Sequence, residues 1–264
     1  MDAPDPNLWR RFLALPIESK PKTILAAFVF SSVCAVLVSS AAVVLRPIQA
    51  ANRAAEEEAR VEALVRGIPG MTDLLTNVGG SLTTVVVDLE RGRAASDVTP
   101  STLLSALADT SNWTSLDPGQ DLAGLGARPD YAQVFMLREG DRVSLLLLPI
   151  AGQGYNGRIE AVLALRGDMN TIAGVTVTRQ SETPGLGARI EEGAWQASFP
   201  GQQIFDSEGA VRFSVARGSA SSIYEVDGIT GATRTSNAFT QIVRFWLGPD
   251  GYGPLIAAIS RGEF

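Results

Sequence analysis

The 264-residue chain contains no histidine and a single cysteine, Cys34. The missing histidines remove imidazole metal sites, Ser-His-Asp and Cys-His triads, and histidine ligation of haem. One cysteine cannot close a disulfide within the chain. Nor can it supply a four-cysteine zinc or iron–sulfur centre. A phosphate loop of the form GxxxxGK[ST] is also missing. Chemistry must therefore come from hydroxyls, carboxylates, backbone amides or a bound organic cofactor.

Charge is lacking in one place above all. Ile24 to Leu45, ILAAFVFSSVCAVLVSSAAVVL, is a run without a charged residue. At a helical rise of about 1.5 Å per residue it covers a hydrocarbon core of roughly 30 Å. A cleaved signal peptide is the alternative. The run exceeds the usual apolar region of one, starts late, and meets Arg46-Pro47 with no convincing small-x-small cleavage site before a loop. A retained transmembrane helix over 24–45 is the expectation. Arg10, Arg11, Lys20 and Lys22 precede it, whereas Arg46 and Arg53 are soon followed by Glu56-Glu57-Glu58. Basic residues favour the cytoplasmic side, so the N-terminal tail, 1–23, is expected in the cytoplasm and the rest outside it, in a bacterial periplasm.

Four basic and three acidic residues precede Ile24, a balance of +1, so the total of −6 leaves −7 after it. An acidic exported domain disfavours nucleic acid as a partner. The span itself carries no Asp, Glu, Lys or Arg, and so offers no ion path of its own.

Residues 46–70 read as a helical linker, with Ala50 to Gly67 rich in alanine and glutamate and stopped by Gly67 and Pro69. Residues 71–264 form the main domain. SLTTVVVDLERG reads as a strand and turn, Thr102 to Leu107 as a short helix, and Asp117 to Asp130 as loop. Two hairpins follow, one turning at Glu139-Gly140-Asp141 and the next near Gly167-Asp168. A glycine-rich loop, a short helix around Ala194, a strand in AVRFSVARG and a helix from Asn237 to Leu247 complete the pass. In that helix Phe239, Ile242, Val243 and Trp246 share one face, and Gly248-Pro249 stop it. The class is α+β, with an antiparallel sheet and flanking helices behind one N-terminal transmembrane helix. No series of alternating strands and helices appears, so a Rossmann fold is not expected. GLGAR occurs at Gly124–Arg128 and Gly185–Arg189, but nothing around the copies matches, which argues for coincidence.

Three glycine-rich turns are left for function. DGITGATRTS, Asp227 to Ser236, precedes the apolar helix. Gly228 and Gly231 permit positive φ and close backbone approach, helix amides and Arg234 favour a phosphate, and several hydroxyls stand nearby. The plain alternative is a turn with Thr235 or Ser236 as N-cap. ETPGLG, Glu182 to Gly187, could clamp a flat ring or could be an ordinary connection. LPIAGQGY, Leu148 to Tyr155, turns at a strand end.

Asp227-Gly228-Ile229-Thr230-Gly231-Ala232-Thr233 resembles the D-x-x-[ST]-G-A-T flavinylation motif. Its last threonine receives FMN through the phosphate from a flavin transferase. LPIAGQGY, ETPGLGARIEEGAW, GATRTSNAFTQIVRFWLG and GYGPLIA stand in the order seen in the C subunit of the sodium-translocating NADH:quinone reductase. The related G subunit of the Rnf complex shares the threonine motif. FWLGPDGYGPL, from Phe245 to Leu255, resembles the reductase subunit. The resemblance implies a covalent FMN-binding, electron-relaying subunit of a redox-driven sodium pump in the bacterial inner membrane. Its partners would be the other subunits. It implies FMN on Thr233 as a phosphoester, with Glu182, Thr183, Gly185, Leu186, Gly187, Tyr155, Thr230, Gly231 and Ala232 lining it. The chain departs from the family at Tyr155-Asn156, where Leu-Trp is frequent, and at Thr230, where serine is common. A membrane-anchored binding or sensory domain with purely structural glycine loops is the reading from a different class.

Overall fold

The computed structural model describes Pro16, Ser19, Lys20, residues 22–40 and residues 82–264. The expected linker helix and the last residues of the span lie outside these. Within the N-terminal unit, α1 (Lys22–Ser40) is one apolar helix, long enough to cross a membrane by length and composition.

The second unit carries a six-stranded sheet. Its strands are β1 (Leu82–Asp88), β2 (Arg93–Ala94), β5 (Tyr131–Glu139), β6 (Arg142–Gln153), β7 (Arg158–Arg166) and β8 (Ile172–Arg179). Their order is β2-β1-β5-β6-β7-β8, antiparallel at each junction. The two expected hairpins are β5–β6 and β7–β8. Gly140 takes φ 60° at the first turn. In the second, Asp168 accepts from the amides of Asn170 and Thr171 and from the Thr171 hydroxyl. The middle strands are buried on both faces, as the unbroken Leu145-Leu146-Leu147-Leu148 run requires.

Between β1 and β5 lie α2 (Leu103–Leu107), a 3-10 turn at Thr110–Asn112, and a small hairpin of β3 (Trp113–Ser115) with β4 (Ala127–Pro129). That hairpin falls partly in the stretch expected as loop, because its strands are too short for an alternating pattern to show. The two GLGAR copies adopt different structures, one leading into β4 and the other opening a 3-10 helix over Gly187–Glu191. Past the sheet come α3 (Gly193–Gln196), the two-residue parallel pair β9 (Ser214–Val215) and β10 (Glu225–Val226), then α4 (Thr233–Leu247) and α5 (Gly253–Ser260). The strand expected in AVRFSVARG is thus only β9.

The apolar stripe of α4 is buried as expected: Phe239, Ile242, Val243 and Trp246 are each at most 5% exposed. Phe239 meets Trp195 and Phe199 edge-on, with centroids 5.3 and 5.9 Å apart. Two polar ties fix the helical layer to β6. Trp246 Nε1 donates to the Ala151 carbonyl at 2.6 Å, and the Tyr252 hydroxyl donates to the Pro149 carbonyl at 2.7 Å. Burial pushes the Tyr252 phenol far above the ordinary tyrosine value, so it remains a donor throughout the working pH range. Replacing Phe239 by alanine removes the centre of this aromatic packing. Urea unfolding of the domain should show a loss of about 3–5 kcal/mol, against about 1–3 kcal/mol for Tyr252→Phe, which leaves the half-buried Pro149 carbonyl without this donor.

Candidate functional site

Three loops meet at the N-terminus of α4. The first is the β6–β7 connection, Gly154 to Gly157. The second is Glu182 to Gly187 after β8. The third is the turn from Asp227 to Ala232. The letters Gly152-x-Gly154-x-x-Gly157 have the spacing of a dinucleotide fingerprint, but they join two antiparallel strands instead of opening a helix.

The last turn explains where the helix starts. The Ala232 amide donates to the Ile229 carbonyl at 2.9 Å, and Gly231 takes φ 79° at the third position of that turn. A type II turn needs a left-handed residue there, which glycine supplies without steric cost. The helix then begins at Thr233, four residues before the expected Asn237. Thr235 and Ser236 are therefore not N-caps. The cap position is Ala232, which has no capping side chain, and Thr235 and Ser236 lie buried inside the first turn. Gly228 also differs from expectation: it does not adopt positive φ. It is glycine because its backbone passes against that of Ala216, where a Cβ would collide with the Ala216 carbonyl oxygen.

The central interaction is between Thr235 and Glu182. The Thr235 hydroxyl donates to Glu182 Oε2 at 2.5 Å, and the Asn156 amide donates to Oε1 at 2.9 Å. Glu182 is 4% exposed and Thr235 is 2% exposed. The amide of Glu182 in turn donates to Gln180 Oε1. Two glycines leave room for this pair. A Cβ at Gly187 would run into the Thr235 hydroxyl and stand 2.8 Å from Glu182 Oε2, and one at Gly154 would run into Glu182 Oε1. A buried carboxylate needs such partners, because an unpaired one is strongly disfavoured away from water.

Around this buried pin the expected residues sort into two sets. Glu182, Gly187 and Ala232 are buried, and Ala232 belongs to the core. Thr233, Thr230, Gly231, Gly185, Leu186 and Tyr155 are exposed, and Thr183 is half-buried. Leu186 reaches Gly231, where an added Cβ would lie 3.0 Å from Leu186 Cδ2. Asn156 Nδ2 stands 3.5 Å from the Thr183 hydroxyl. The Arg234 guanidinium lies over the Tyr155 ring, 4.9 Å from its centroid, a cation–π contact joining the first and third loops. Sequence reasoning missed the Thr235–Glu182 pair and the Arg234–Tyr155 stack. The one signal was a lone carboxylate, Glu182, at the start of a glycine-rich loop.

The helix end has anion-binding character. Among the described residues, no acceptor engages the amides of Thr233, Arg234 and Thr235. Such open amides at the positive end of a 15-residue helix suit a phosphate. Groups of histidine, cysteine, aspartate or glutamate that could hold a metal ion do not occur among the described residues.

Residues 154–248 match the family model described as FMN-binding domain, which spans all three loops and α4. The chain is thus a protein of the FMN-binding-domain class, built as an α+β fold on an antiparallel sheet. It is 33% identical over 256 residues to the C subunit of the Na(+)-translocating NADH-quinone reductase of Pseudomonas aeruginosa, covering 93% of this chain and 98% of that one. The C subunit of the Yersinia pestis enzyme is 32% identical, with 93% and 95% covered. The crystal structure of Shewanella oneidensis NqrC superposes with a TM-score of 0.62 at 25% identity, covering 72% of this chain and 88% of that one. The crystal structure of the Parabacteroides distasonis C subunit, at 21% identity and TM-score 0.53, covers 80% and 96% and shares the fold. The chain belongs to the family of C subunits of the Na(+)-translocating NADH-quinone reductase.

Thr235→Val should leave the buried Glu182 short of a donor and cost about 1–3 kcal/mol in urea unfolding. Thr235→Ser, which keeps the hydroxyl, should recover most of that loss.

Proposed function

We propose that this protein is the electron-relaying C subunit of a sodium-pumping NADH:quinone reductase, with FMN joined by a phosphoester to Thr233. The observation that carries the attachment is the sorting of hydroxyls at the α4 N-terminus. Thr235 and Ser236 are buried, and Thr235 is committed to Glu182. Thr233 is exposed at the first helical position, where open amides can hold a phosphate. Thr230 is exposed too, but it precedes Gly231 in the turn and is not part of the helix end.

The residues present fit such a group. In attachment, the bond formed is Thr233 Oγ1 to phosphorus. The threonine proton leaves, and so does the group that activates the flavin phosphate in the transferase's donor. The amides of Thr233 to Thr235 would hold the phosphate oxygens, and Arg234 would add positive charge. Leu186 and Tyr155 present apolar surface for a planar ring, and Gly231 keeps the space beside Leu186 open. Glu182 acts from below by fixing the helix end rather than by contact with the ring. Bound FMN supplies reversible one-electron transfer, while this chain supplies position. A covalent link prevents loss of the cofactor outside the cytoplasm, where it is scarce.

On this reading α1, extended over 24–45, anchors the domain in the bacterial inner membrane with the tail of residues 1–23 in the cytoplasm and the flavin domain in the periplasm. Electrons pass to and from the other subunits of the complex, and a flavin transferase matures the protein.

The decisive measurement is a denaturing gel under ultraviolet light, with the protein co-expressed with a flavin transferase. The wild-type band should fluoresce and carry an FMN-sized mass on a peptide containing Thr233. Thr233→Ala should be dark, and Thr230→Ala should stay bright. A dark wild-type band, or label on another residue, would sink the assignment. Topology has its own test: a reporter fused after Phe264 should be active only outside the cytoplasm, and cytoplasmic activity would reverse the orientation.

A further inference from the structure

The sequence contains one Asn-Gly step, Asn156-Gly157, and the fold places it in the turn between β6 and β7. Asparagine is chemically labile, because the backbone nitrogen of the next residue can attack its side-chain carbonyl carbon. Glycine in the next position puts no Cβ in the way of that attack. A folded chain permits the reaction only under local conditions. The carboxamide must be free to swing, the following amide must be unbonded, and the peptide plane between the two residues must be able to turn.

Asn156 meets all of these conditions. It is exposed, and its Nδ2 stands 3.5 Å from the Thr183 hydroxyl, at the outer limit of a hydrogen bond. Among the described residues no acceptor takes the Gly157 amide and no donor reaches the Asn156 carbonyl, so the peptide joining the two is untied on both sides. The other asparagines among the described residues each fail a condition. Asn170 Oδ1 accepts from the amides of Ile204 and Phe205, and its Nδ2 donates to the Phe205 carbonyl. Asn112 Nδ2 donates to the Ala106 carbonyl at 2.8 Å, and the bulky Trp113 follows it. Asn237 lies inside α4, where the amide of the next residue is bound into the helix.

We propose that Asn156 is a site of spontaneous covalent modification, by deamidation to aspartate and isoaspartate. The Gly157 nitrogen loses its proton and bonds to Asn156 Cγ, the Cγ–Nδ2 bond breaks, and Nδ2 leaves as ammonia. Water then opens the cyclic imide at either carbonyl. The net change is an amide and water giving a carboxylic acid and ammonia, with no redox step and no co-reactant but water. Isoaspartate routes the backbone through the side-chain methylene and lengthens it by one atom. The turn has little slack for that atom. The Asn156 amide donates to Glu182 Oε1 at 2.9 Å, and the Gly154 amide donates to the Gly157 carbonyl at 2.7 Å. Gly157 itself lies against Ser181, whose Cβ would stand 2.8 Å from an added Cβ. Modification therefore loosens the first loop from the buried carboxylate. It is independent of the attachment at Thr233.

The test ages the full chain at mildly alkaline pH, both folded and unfolded in guanidinium, and follows it by peptide mass spectrometry. In the folded chain the peptide holding Asn156 should gain the mass of an amide-to-acid exchange, with isoaspartate exceeding aspartate. Asn112, Asn170 and Asn237 should remain intact over the same period. Asn156→Gln, whose extra methylene disfavours ring closure, should stop the change at this position. Protection of Asn156 in the folded chain, with ready loss in guanidinium, would overturn the proposal. Earlier loss at another asparagine of the folded chain would overturn it as well. Stability reports the effect on the turn. Aged protein, separated by its added negative charge, should melt below fresh protein. Asn156→Asp, with the same charge on an ordinary backbone, should melt as fresh protein does. Equal midpoints for aged and fresh protein would refute the loosened tie. None of these readouts requires a flavin, so they stand apart from the test at Thr233.

Discussion

The hydrogen bond from Thr235 to Glu182 is the constraint on which the site depends. It closes a loop of chain from β8 to α4 and, through the Asn156 amide on the other carboxylate oxygen, draws in the β6–β7 turn. Three segments that are far apart in sequence are thereby held to one buried group. The two glycines beside it, Gly154 and Gly187, are there because nothing larger fits against the pair. Their role is spatial: neither takes positive φ, so the freedom of glycine to do so is not what is used.

This arrangement divides the threonine-rich turn into a supporting part and a presenting part. Buried Thr235 spends its hydroxyl on structure. Exposed Thr233, two residues earlier, cannot share that face of the helix, because successive residues turn by about 100°. The helical start therefore decides which hydroxyl faces outward. A start at Asn237 would have left Thr235 and Ser236 at the edge, as caps competing for the same role. Gly231, with its left-handed φ, sets the earlier start and thus the difference between the threonines.

Much of this is legible in the sequence, for physical reasons that also explain the rest. The β5–β6 and β7–β8 hairpins show because long strands and short glycine or aspartate turns are local signals. The buried stripe of α4 shows because its period is local too. The first turn of α4 does not show, since Thr-Arg-Thr-Ser has weak helix propensity and a hydroxyl there reads as a cap. Its helical state depends on Glu182, 53 residues away. Gly228 misleads for the same reason: its neighbour Ala216 is distant in sequence, and a packing glycine looks like a turn glycine. The α5 helix escapes notice because Gly-Tyr-Gly-Pro suggests only a break, although proline is at home in a first helical turn. Thr233 is proposed from its motif, whereas the Glu182–Thr235 pair, formed across 53 residues, leaves no local trace in the sequence.

An electron carrier without histidine or cysteine in its folded domain has to work by placement. The placement is transmitted through β6 and α4, which are tied at more than one point. Trp246, near the C-terminal end of α4, donates to Ala151 in β6. A few residues further along the same strand and its turn, Tyr155 lies under Arg234 at the N-terminal end of the helix. Between these points the apolar face of α4 is fully buried. A helix held at both ends and along its length cannot tilt without unpacking the core. The position of Thr233 is therefore as firmly set within the domain as the core itself, and the proposed cofactor there would keep a fixed place on the domain even though the surroundings of Thr233 are open to solvent.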